Sequence, residues 1–213
     1  DFEIYYAEID ENLEQNIEEA ITKYQPDVFA FSLVQYLTGI KIDLDFLKRL
    51  KAYHPNLLLV ADGTQFLGTS NFSFSESGLD VLGASTYKWL LAGYGNGVFM
   101  IKEEVQKKIF PKTIGFNSAD AIYNQRDEIS FVKRFEPGHQ DTLNYGSLEQ
   151  AVNALEKIGM NVVEEKIKTL TAKAKFRFTE LGLLDNAVVN RKQHSSIFNI
   201  KGNDYLFQKL KEN

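Results

Sequence analysis

Two apolar segments with polar ends decide the fold of this chain. The first stands in Leu57-Leu58-Leu59-Val60-Ala61-Asp62-Gly63-Thr64-Gln65, where the apolar run ends at Asp62 and a glycine opens a turn. The second apolar run, Leu79 to Ala84, leads into Ser85-Thr86-Tyr87-Lys88-Trp89. Continuous apolar runs of this length are typical of strands that are covered on both faces of a sheet. We therefore predict two buried strands with polar side chains at their carboxyl ends.

The residues after these strands predict a ligand site. In an open α/β sheet, ligands bind outside the carboxyl ends of the strands. If the two strands are neighbours, one crevice is lined by Asp62, Gln65, Ser85, Tyr87 and Lys88.

An amine and a carboxylate at such a crevice suit one cofactor in particular. A lysine amine forms a Schiff base with the aldehyde of pyridoxal phosphate, and a carboxylate keeps the ring nitrogen of that cofactor protonated. Lys88 suits the first role and Asp62 the second. Gln65 is a candidate partner for the ring hydroxyl, and Ser85 and Tyr87 are candidate phosphate ligands. No metal site is predicted.

The same residues resemble a known family. Asp62-x-x-Gln65, Ser85-x-Tyr87-Lys88-Trp89 and the glycines 93, 95 and 97 are similar to the core of the class V aminotransferases. That family of fold type I pyridoxal phosphate enzymes includes cysteine desulfurases and kynureninases. The resemblance extends from about Asp27 to about Ile200. It implies that Lys88 is the Schiff-base lysine and that Asp62 pairs with the pyridinium.

Two further segments extend the resemblance. Gln35-Tyr36-Leu37-Thr38-Gly39 is similar to the kynureninase version of a loop near the cofactor ring, which makes Gln35 a candidate cofactor contact. Arg134-Phe135-Glu136-Pro137-Gly138 is similar to a signature of the desulfurase branch. In relatives the next residue reaches the phosphate of the neighbouring subunit's cofactor. Here it is His139, where many relatives have threonine.

Each of these residues also has a purely structural interpretation. A lysine after a strand is usually a solvated charge, and an Asp-Gly pair is a common turn. Ser85 suits a helix cap and Tyr87 a core aromatic, while Gln35 suits a strand-to-loop exit and His139 a surface loop. The combination of residues and their order favour the functional interpretation for Lys88 and Asp62. For Gln35 and His139 both interpretations stay open.

The remaining pattern predicts an α/β fold. Amphipathic helices over 12–24 and 43–53 alternate with strands over 27–34, 57–61 and 79–84, a rhythm typical of a mostly parallel sheet sandwiched by helices. Further elements are predicted as strands over 2–6, 98–101 and 196–200, helices over 103–109, 144–157, 160–181 and from 205, and a loop over 113–128. We predict residues 1–143 as part of the cofactor-binding large domain, 144–182 as linking helices, and 183–213 as the beginning of a small C-terminal α/β domain.

Composition narrows the class of protein. The chain has 213 residues, a net charge of −5 at pH 7 and no cysteine. The charge and the lack of a basic run predict no nucleic-acid partner. No apolar run reaches the length of a membrane span, and a cytoplasmic location is expected. The chain begins at Asp1 without a methionine, so we expect an internal piece of a longer protein. The phosphate-binding loop, the ring-stacking side chain and the substrate arginine that the resemblance implies are not found here.

These observations predict a pyridoxal-phosphate-dependent enzyme that acts on an amino acid or a related amine. A class V aminotransferase working as a homodimer is the first interpretation. A lyase or hydrolase similar to cysteine desulfurase or kynureninase is the second, and a non-catalytic scaffold of the same fold is the third. A non-catalytic scaffold would not need both Lys88 and Asp62, so the presence of both favours an enzyme.

Overall fold

A four-stranded sheet forms the centre of the computed structural model, which describes residues 2–112, 115, 129–136 and 138–212. The strands are β1 (Val28–Ser32), β2 (Leu58–Asp62), β3 (Val81–Ser85) and β4 (Gly97–Ile101), and they lie side by side in that order. The first three run parallel, and β4 pairs with β3 in the antiparallel direction. The predicted mostly parallel sheet is thereby confirmed. Apart from Gly115, the loop predicted over 113–128 lies outside the described residues.

Eight helices are described around this sheet. They are α1 (Leu13–Tyr24), α2 (Leu44–Tyr53), α3 (Glu103–Gln106), α4 (Phe131–Phe135), α5 (Thr142–Ile158), α6 (Met160–Glu180), α7 (Asn186–Asn190) and α8 (Asp204–Lys211). The boundaries of α1, α2, α5 and α6 agree with the predicted helices to within two residues at each end. Only α3 is clearly shorter than predicted, since its last residue is Gln106 and not Ile109.

The core lies where α1 and α2 pack on one face of the sheet. Ile17 and Ile21 of α1, Leu47 of α2, Leu59 of β2 and Leu82 of β3 are all buried in one cluster. The spacing of four residues between Ile17 and Ile21 places both on one face of their helix, which is the face that the apolar pattern predicted. Full burial of each such side chain stabilises the fold by about 1.5–3 kcal/mol.

Helix α2 is joined to the sheet by a buried ion pair. The Asp80 carboxylate, which is almost completely buried, lies 2.7 Å from the Lys51 ammonium and accepts a hydrogen bond of 2.8 Å from the Leu59 amide. Lys51 also donates to the Leu57 carbonyl at 2.8 Å. The segment preceding β3 therefore contains a charged residue inside what the sequence presented as an apolar run.

Two predicted strands are wrong. Residues 2–6 lie outside the sheet, and Phe2 and Tyr6 are almost fully exposed. Residues 196–200 do not form a strand either. Alternating apolar residues predicted both strands, but a strand also needs a neighbouring strand to pair with, and the local pattern does not specify one.

The segment around residues 193–198 instead lies against the loop that follows β1. The Ser195 amide donates to the Gly39 carbonyl at 2.8 Å, and Ile40 and His194 form an isolated antiparallel bridge. Gly39 has a φ of +74°, and a Cβ on it would lie 1.9 Å from the Ile197 carbonyl oxygen. Only glycine fits this position.

Residues beyond 183 also contribute to the core cluster. Leu184 and Val188 are buried in it, and Arg191 is buried beside α1. The Arg191 guanidinium forms two hydrogen bonds of 2.6 and 2.8 Å with the Glu14 carboxylate. The division at residue 183 into a second domain stays a prediction.

Candidate active site

The strand register places two of the predicted side chains on one face of the sheet. Asp62 of β2 pairs with Gly83 of β3, and Ser32 of β1 pairs with Asp62 from the other side. Ser85 follows Gly83 by two residues, so its side chain points to the same face as that of Asp62. The two strands are neighbours, as the site prediction required. Asp62 and Ser85 thus stand at adjacent carboxyl ends, with Gly83 contributing no side chain between them.

Asp62 is exposed and holds the turn after its strand. Its Oδ1 accepts a hydrogen bond of 2.8 Å from the Thr64 amide, and the Thr64 hydroxyl accepts one of 3.0 Å from the Ser85 amide. Within the described residues, Oδ2 of Asp62 has no hydrogen-bond partner. This second oxygen is the atom that can accept a bond from a protonated ring nitrogen.

Thr64 is a residue of the candidate site that sequence reasoning missed. It connects the turn after β2 to the end of β3, and so fixes Asp62 and Ser85 relative to one another. The signal available in the sequence was a hydroxyl residue two positions after an aspartate, a pattern typical of turns in which the carboxylate accepts from the backbone.

Lys88 lies in the connection between β3 and β4, three residues after Ser85. It is half-buried, and its ammonium is 5.9 Å from the centroid of the Tyr87 ring. In the part of the chain that the structure describes, Lys88 has neither an ion pair nor a side-chain hydrogen bond. An amine in these surroundings is not committed to a structural contact, as a covalent attachment point requires.

Tyr87 and Gln65 have partners of their own. The Tyr87 ring is 40% exposed and stacks on Tyr94 with the centroids 5.0 Å apart. Oε1 of Gln65 accepts a hydrogen bond of 3.0 Å from the Trp89 indole, which leaves the amide NH₂ of Gln65 as a donor for a ligand oxygen. Gln65 therefore connects the turn after β2 to the residue that follows Lys88.

Gln35 and His139 are not brought to these residues by any described contact. Oε1 of Gln35 accepts hydrogen bonds from the amides of Leu37 and Thr38 at 2.6 and 2.7 Å, so this side chain stabilises its own turn. His139 is exposed in the connection between α4 and α5. The geometry of Gln35 fits the strand-to-loop interpretation, and contacts of either residue with a cofactor stay predictions.

Comparison with known proteins identifies the family. A family model described as aminotransferase class-V matches residues 1–212. The chain belongs to the class V aminotransferase family. The family depends on pyridoxal 5′-phosphate, and the cofactor predicted from the sequence is confirmed at this level.

Individual relatives bear different names. A probable cysteine desulfurase of Borreliella burgdorferi is 24% identical over 161 residues, which are 73% of this chain and 37% of that protein. An uncharacterized aminotransferase of Bacillus subtilis is 25% identical over 150 residues, which are 70% of this chain and 40% of that protein. This chain therefore aligns with about two fifths of the length of these relatives.

Solved structures show the same fold. An apo structure of a cysteine desulfurase from Thermococcus onnurineus matches with a TM-score of 0.79 and 22% identity over 98% of this chain and 53% of the other. An alanine–glyoxylate aminotransferase from Nostoc matches with a TM-score of 0.64 and 16% identity over 85% of this chain and 48% of the other. The predicted fold class is thereby confirmed.

The donor set at the sheet edge fits pyridoxal phosphate. It comprises the amine of Lys88, the second carboxylate oxygen of Asp62, the amide of Gln65 and the hydroxyl of Ser85. A cofactor with an aldehyde, a basic ring nitrogen, a ring hydroxyl and a phosphate offers one partner to each of these groups.

None of the described helices combines the length and hydrophobicity that crossing a lipid bilayer would require.

Proposed function

We propose that this chain forms part of a pyridoxal-phosphate-dependent enzyme acting on an amino acid or a related amine, with aminotransfer as the first candidate reaction. The observation that carries the proposal is the placement of Asp62 and Ser85 on one face of adjacent strand ends. Lys88 follows three residues after Ser85 and forms no ion pair with any residue that the structure describes. Because the chain belongs to the class V family, which depends on pyridoxal phosphate, we assign this arrangement of residues to binding that cofactor.

Each residue has a stated role in the proposal. When bound, the cofactor supplies an electron sink for charge that develops at the substrate Cα. Lys88 would hold the cofactor covalently through its amine. Once the substrate amine has replaced it and the lysine amine is free, Lys88 would move the Cα proton, as a base and afterwards as an acid. Asp62 keeps the proton on the ring nitrogen. Gln65 donates to the ring oxygen, and the hydroxyls of Ser85 and Tyr87 bind the phosphate.

A lyase reaction is the second candidate. The relative from Borreliella burgdorferi and the structure from Thermococcus onnurineus are both named cysteine desulfurases, which favours this candidate. The 213 residues contain no cysteine, so a desulfurase mechanism requires a cysteine nucleophile from outside them. A kynureninase-like hydrolase belongs to the same group of alternatives.

We also propose that the working form is a cytoplasmic homodimer. Tyr94 is 80% exposed and Leu143, near the start of α5, is 84% exposed. Aromatic side chains such as that of Tyr94 are enriched in the cores of protein–protein interfaces. Both lie close in sequence to residues of the candidate site, Lys88 and His139. Light scattering on the whole protein should give twice the monomer mass.

The reaction is tested with a panel of amino acids. The whole protein is loaded with pyridoxal phosphate and incubated with each amino acid, with and without a keto acid. Conversion that depends on the keto acid is expected for aminotransfer, whereas keto-acid-independent release of sulfide or alanine would replace it with the lyase or hydrolase candidate.

Lys88→Ala is expected to abolish conversion in this assay and to leave the circular dichroism spectrum unchanged. Lys48→Ala, which removes an exposed ammonium from α2, is the matched control and is expected to keep full activity. Undiminished conversion by Lys88→Ala would refute the role of the lysine.

A further inference from the structure

The connection between β3 and β4, residues 86–96, presents Lys88 and is here called the lysine loop. Thr86 closes its base: this residue is completely buried, and its amide and hydroxyl donate to the Asn96 carbonyl at 3.2 and 3.3 Å. The Thr86 carbonyl accepts in turn from the Ala92 amide at 3.1 Å. The turn that contains Lys88 is thus held at both of its ends.

A third anchor comes from α5. The Ser147 hydroxyl accepts a hydrogen bond of 3.1 Å from the Gly93 amide and donates one of 2.7 Å to the Asn144 carbonyl. Asn96 also donates its side-chain amide to the Asn144 carbonyl. A Cβ on Gly93 would lie 3.0 Å from the Ser147 hydroxyl oxygen, so the loop and the helix are in close contact.

The turn between these anchors contains an unfavourable backbone conformation. Leu91 has a φ of +60° although it is not a glycine, and its side chain is 72% exposed. A left-handed leucine persists only where surrounding contacts impose it. The Leu91 amide donates to the Lys88 carbonyl at 3.0 Å, so relaxation of this turn would displace the lysine backbone directly.

We infer that Ser147 is a positioning residue for Lys88: by accepting a hydrogen bond from the Gly93 amide, its hydroxyl fixes the turn that presents the lysine. No described hydrogen bond joins Ser147 to Lys88 itself. The inference rests on the proposed function of Lys88. It assigns to α5 a role in the site that its largely exposed sequence does not indicate.

The test measures how fast Lys88 captures pyridoxal phosphate. The whole protein, freed of cofactor, is mixed with pyridoxal phosphate, reduced with borohydride at timed intervals and analysed by peptide mapping. Ser147→Ala is expected to slow labelling at Lys88 roughly fivefold, the effect of losing one hydrogen bond that holds the reactive geometry. Ser147→Thr keeps the hydroxyl and is expected to restore the rate.

Thr179→Ala is the matched control. The Thr179 hydroxyl donates to a carbonyl of its own helix at 2.7 Å, as that of Ser147 does, but has no described bond to the lysine loop. Labelling of Lys51 serves as an internal measure of unfolding, because its ammonium is paired with Asp80 in the folded protein. The rate at Lys88 is read only from samples in which Lys51 is labelled as in the wild type.

The outcomes separate the two proposals. The positioning role is supported if labelling at Lys88 is slower in Ser147→Ala but not in Ser147→Thr or Thr179→Ala. Equal labelling in wild type and Ser147→Ala overturns it and leaves the proposed function intact. A wild type that is not labelled at Lys88 overturns the proposed function and, with it, the inference. If Ser147→Ala labels Lys51 faster, Ser147→Thr decides: wild-type labelling at Lys88 supports the role, and slow labelling despite a retained hydroxyl overturns it.

Discussion

At the scale of single residues, Asp62 and Asp43 hold similar turns in different surroundings. Each carboxylate accepts a hydrogen bond from the amide two residues later, at 2.8 Å for Asp62 and 2.9 Å for Asp43. Asp43 caps the start of α2, whereas Asp62 stands at the sheet edge on the same face as Ser85. Comparing Asp62 with Asp43 therefore distinguishes the structural role of a carboxylate in a turn from the electrostatic role that we propose for Asp62.

Asp62→Asn is expected to lower turnover at least about 100-fold, the usual effect of removing one group that stabilises developing charge. Asparagine keeps the turn, since its side-chain oxygen also accepts from the backbone, but it cannot hold a proton on the ring nitrogen. Asp43→Asn is expected to leave turnover unchanged. Steady-state kinetics on the loaded enzyme decides, and full activity of Asp62→Asn would contradict the role.

Sequence reasoning predicted some residues of the site better than others. The positions of Asp62 and Ser85 at the ends of strands followed from two apolar runs that end in polar residues, whereas the pairing of these two strands is shown only by the structure. Thr64 and Ser147 were not predicted because their hydroxyls accept from backbone amides of distant segments, and the sequence indicates at most the turn that contains Thr64. Any hydroxyl residue can accept such a bond, so only the folded geometry distinguishes these two from the others.

At the scale of elements, the Lys51–Asp80 pair connects α2 to the segment that enters β3. Asp80→Asn is expected to lower the free energy of unfolding by about 3 kcal/mol, because the mutation leaves the Lys51 ammonium beside a neutral partner. Asp45→Asn breaks the exposed pair with Lys48, 3.6 Å apart on the same helix, and is expected to cost about 0.5 kcal/mol or less. Urea unfolding measures both, and equal losses would contradict this account.

The Lys51–Asp80 ion pair also shows which features of a strand cannot be predicted from the local sequence. The strand prediction over 79–84 treated the segment as apolar and passed over Asp80. The buried carboxylate is compensated there by Lys51, 29 residues earlier, and by the Leu59 amide, and neither partner is evident from the local pattern. Strands β1 to β3 were predictable from local hydrophobicity, whereas the false strands over 2–6 and 196–200 depended on partners that the local pattern does not specify.

At the scale of the whole molecule, His194 connects the segment after α7 to the loop after β1. Its ring nitrogens lie 2.9 Å from the Thr38 carbonyl oxygen and 2.5 Å from that of Ser195, and the ring stacks on Phe198. Burial lowers the pKa of His194 below its ordinary value of 6.5. The two carbonyls oppose this shift, and the charges of Lys175 and Arg191 add to it.

This shift predicts an acid-sensitive contact. A lowered pKa in the folded state means that the unfolded chain takes up the proton first as the pH falls through 6.5. The free energy of unfolding is therefore expected to decrease below that pH, until the folded-state pKa is reached. His194→Gln should flatten this decrease, and the exposed His139→Gln should not. Urea unfolding at a series of pH values checks this, and an unchanged slope in His194→Gln would contradict it.

Glu14 is a second group whose titration affects stability, at a lower pH than His194. Burial alone would raise the pKa of Glu14, but the hydrogen bonds from Arg191 and the Asp43 amide outweigh it, and the pKa is lowered from 4.5. The stability that Glu14 contributes is present above 4.5 and is lost as the pH falls through the lowered value. Measurements for His194 therefore belong at pH values above about 5.

The central claim is that the amine after β3 and the carboxylate ending β2 serve one pyridoxal phosphate. Borohydride reduction of the whole protein loaded with the cofactor, followed by mass mapping of the lysine-containing peptides, tests it most directly. We predict one stoichiometric label, located on Lys88, and its loss in Lys88→Ala but not in Lys48→Ala. A label on a different lysine, or no label on a protein that is shown to be folded, would contradict the account.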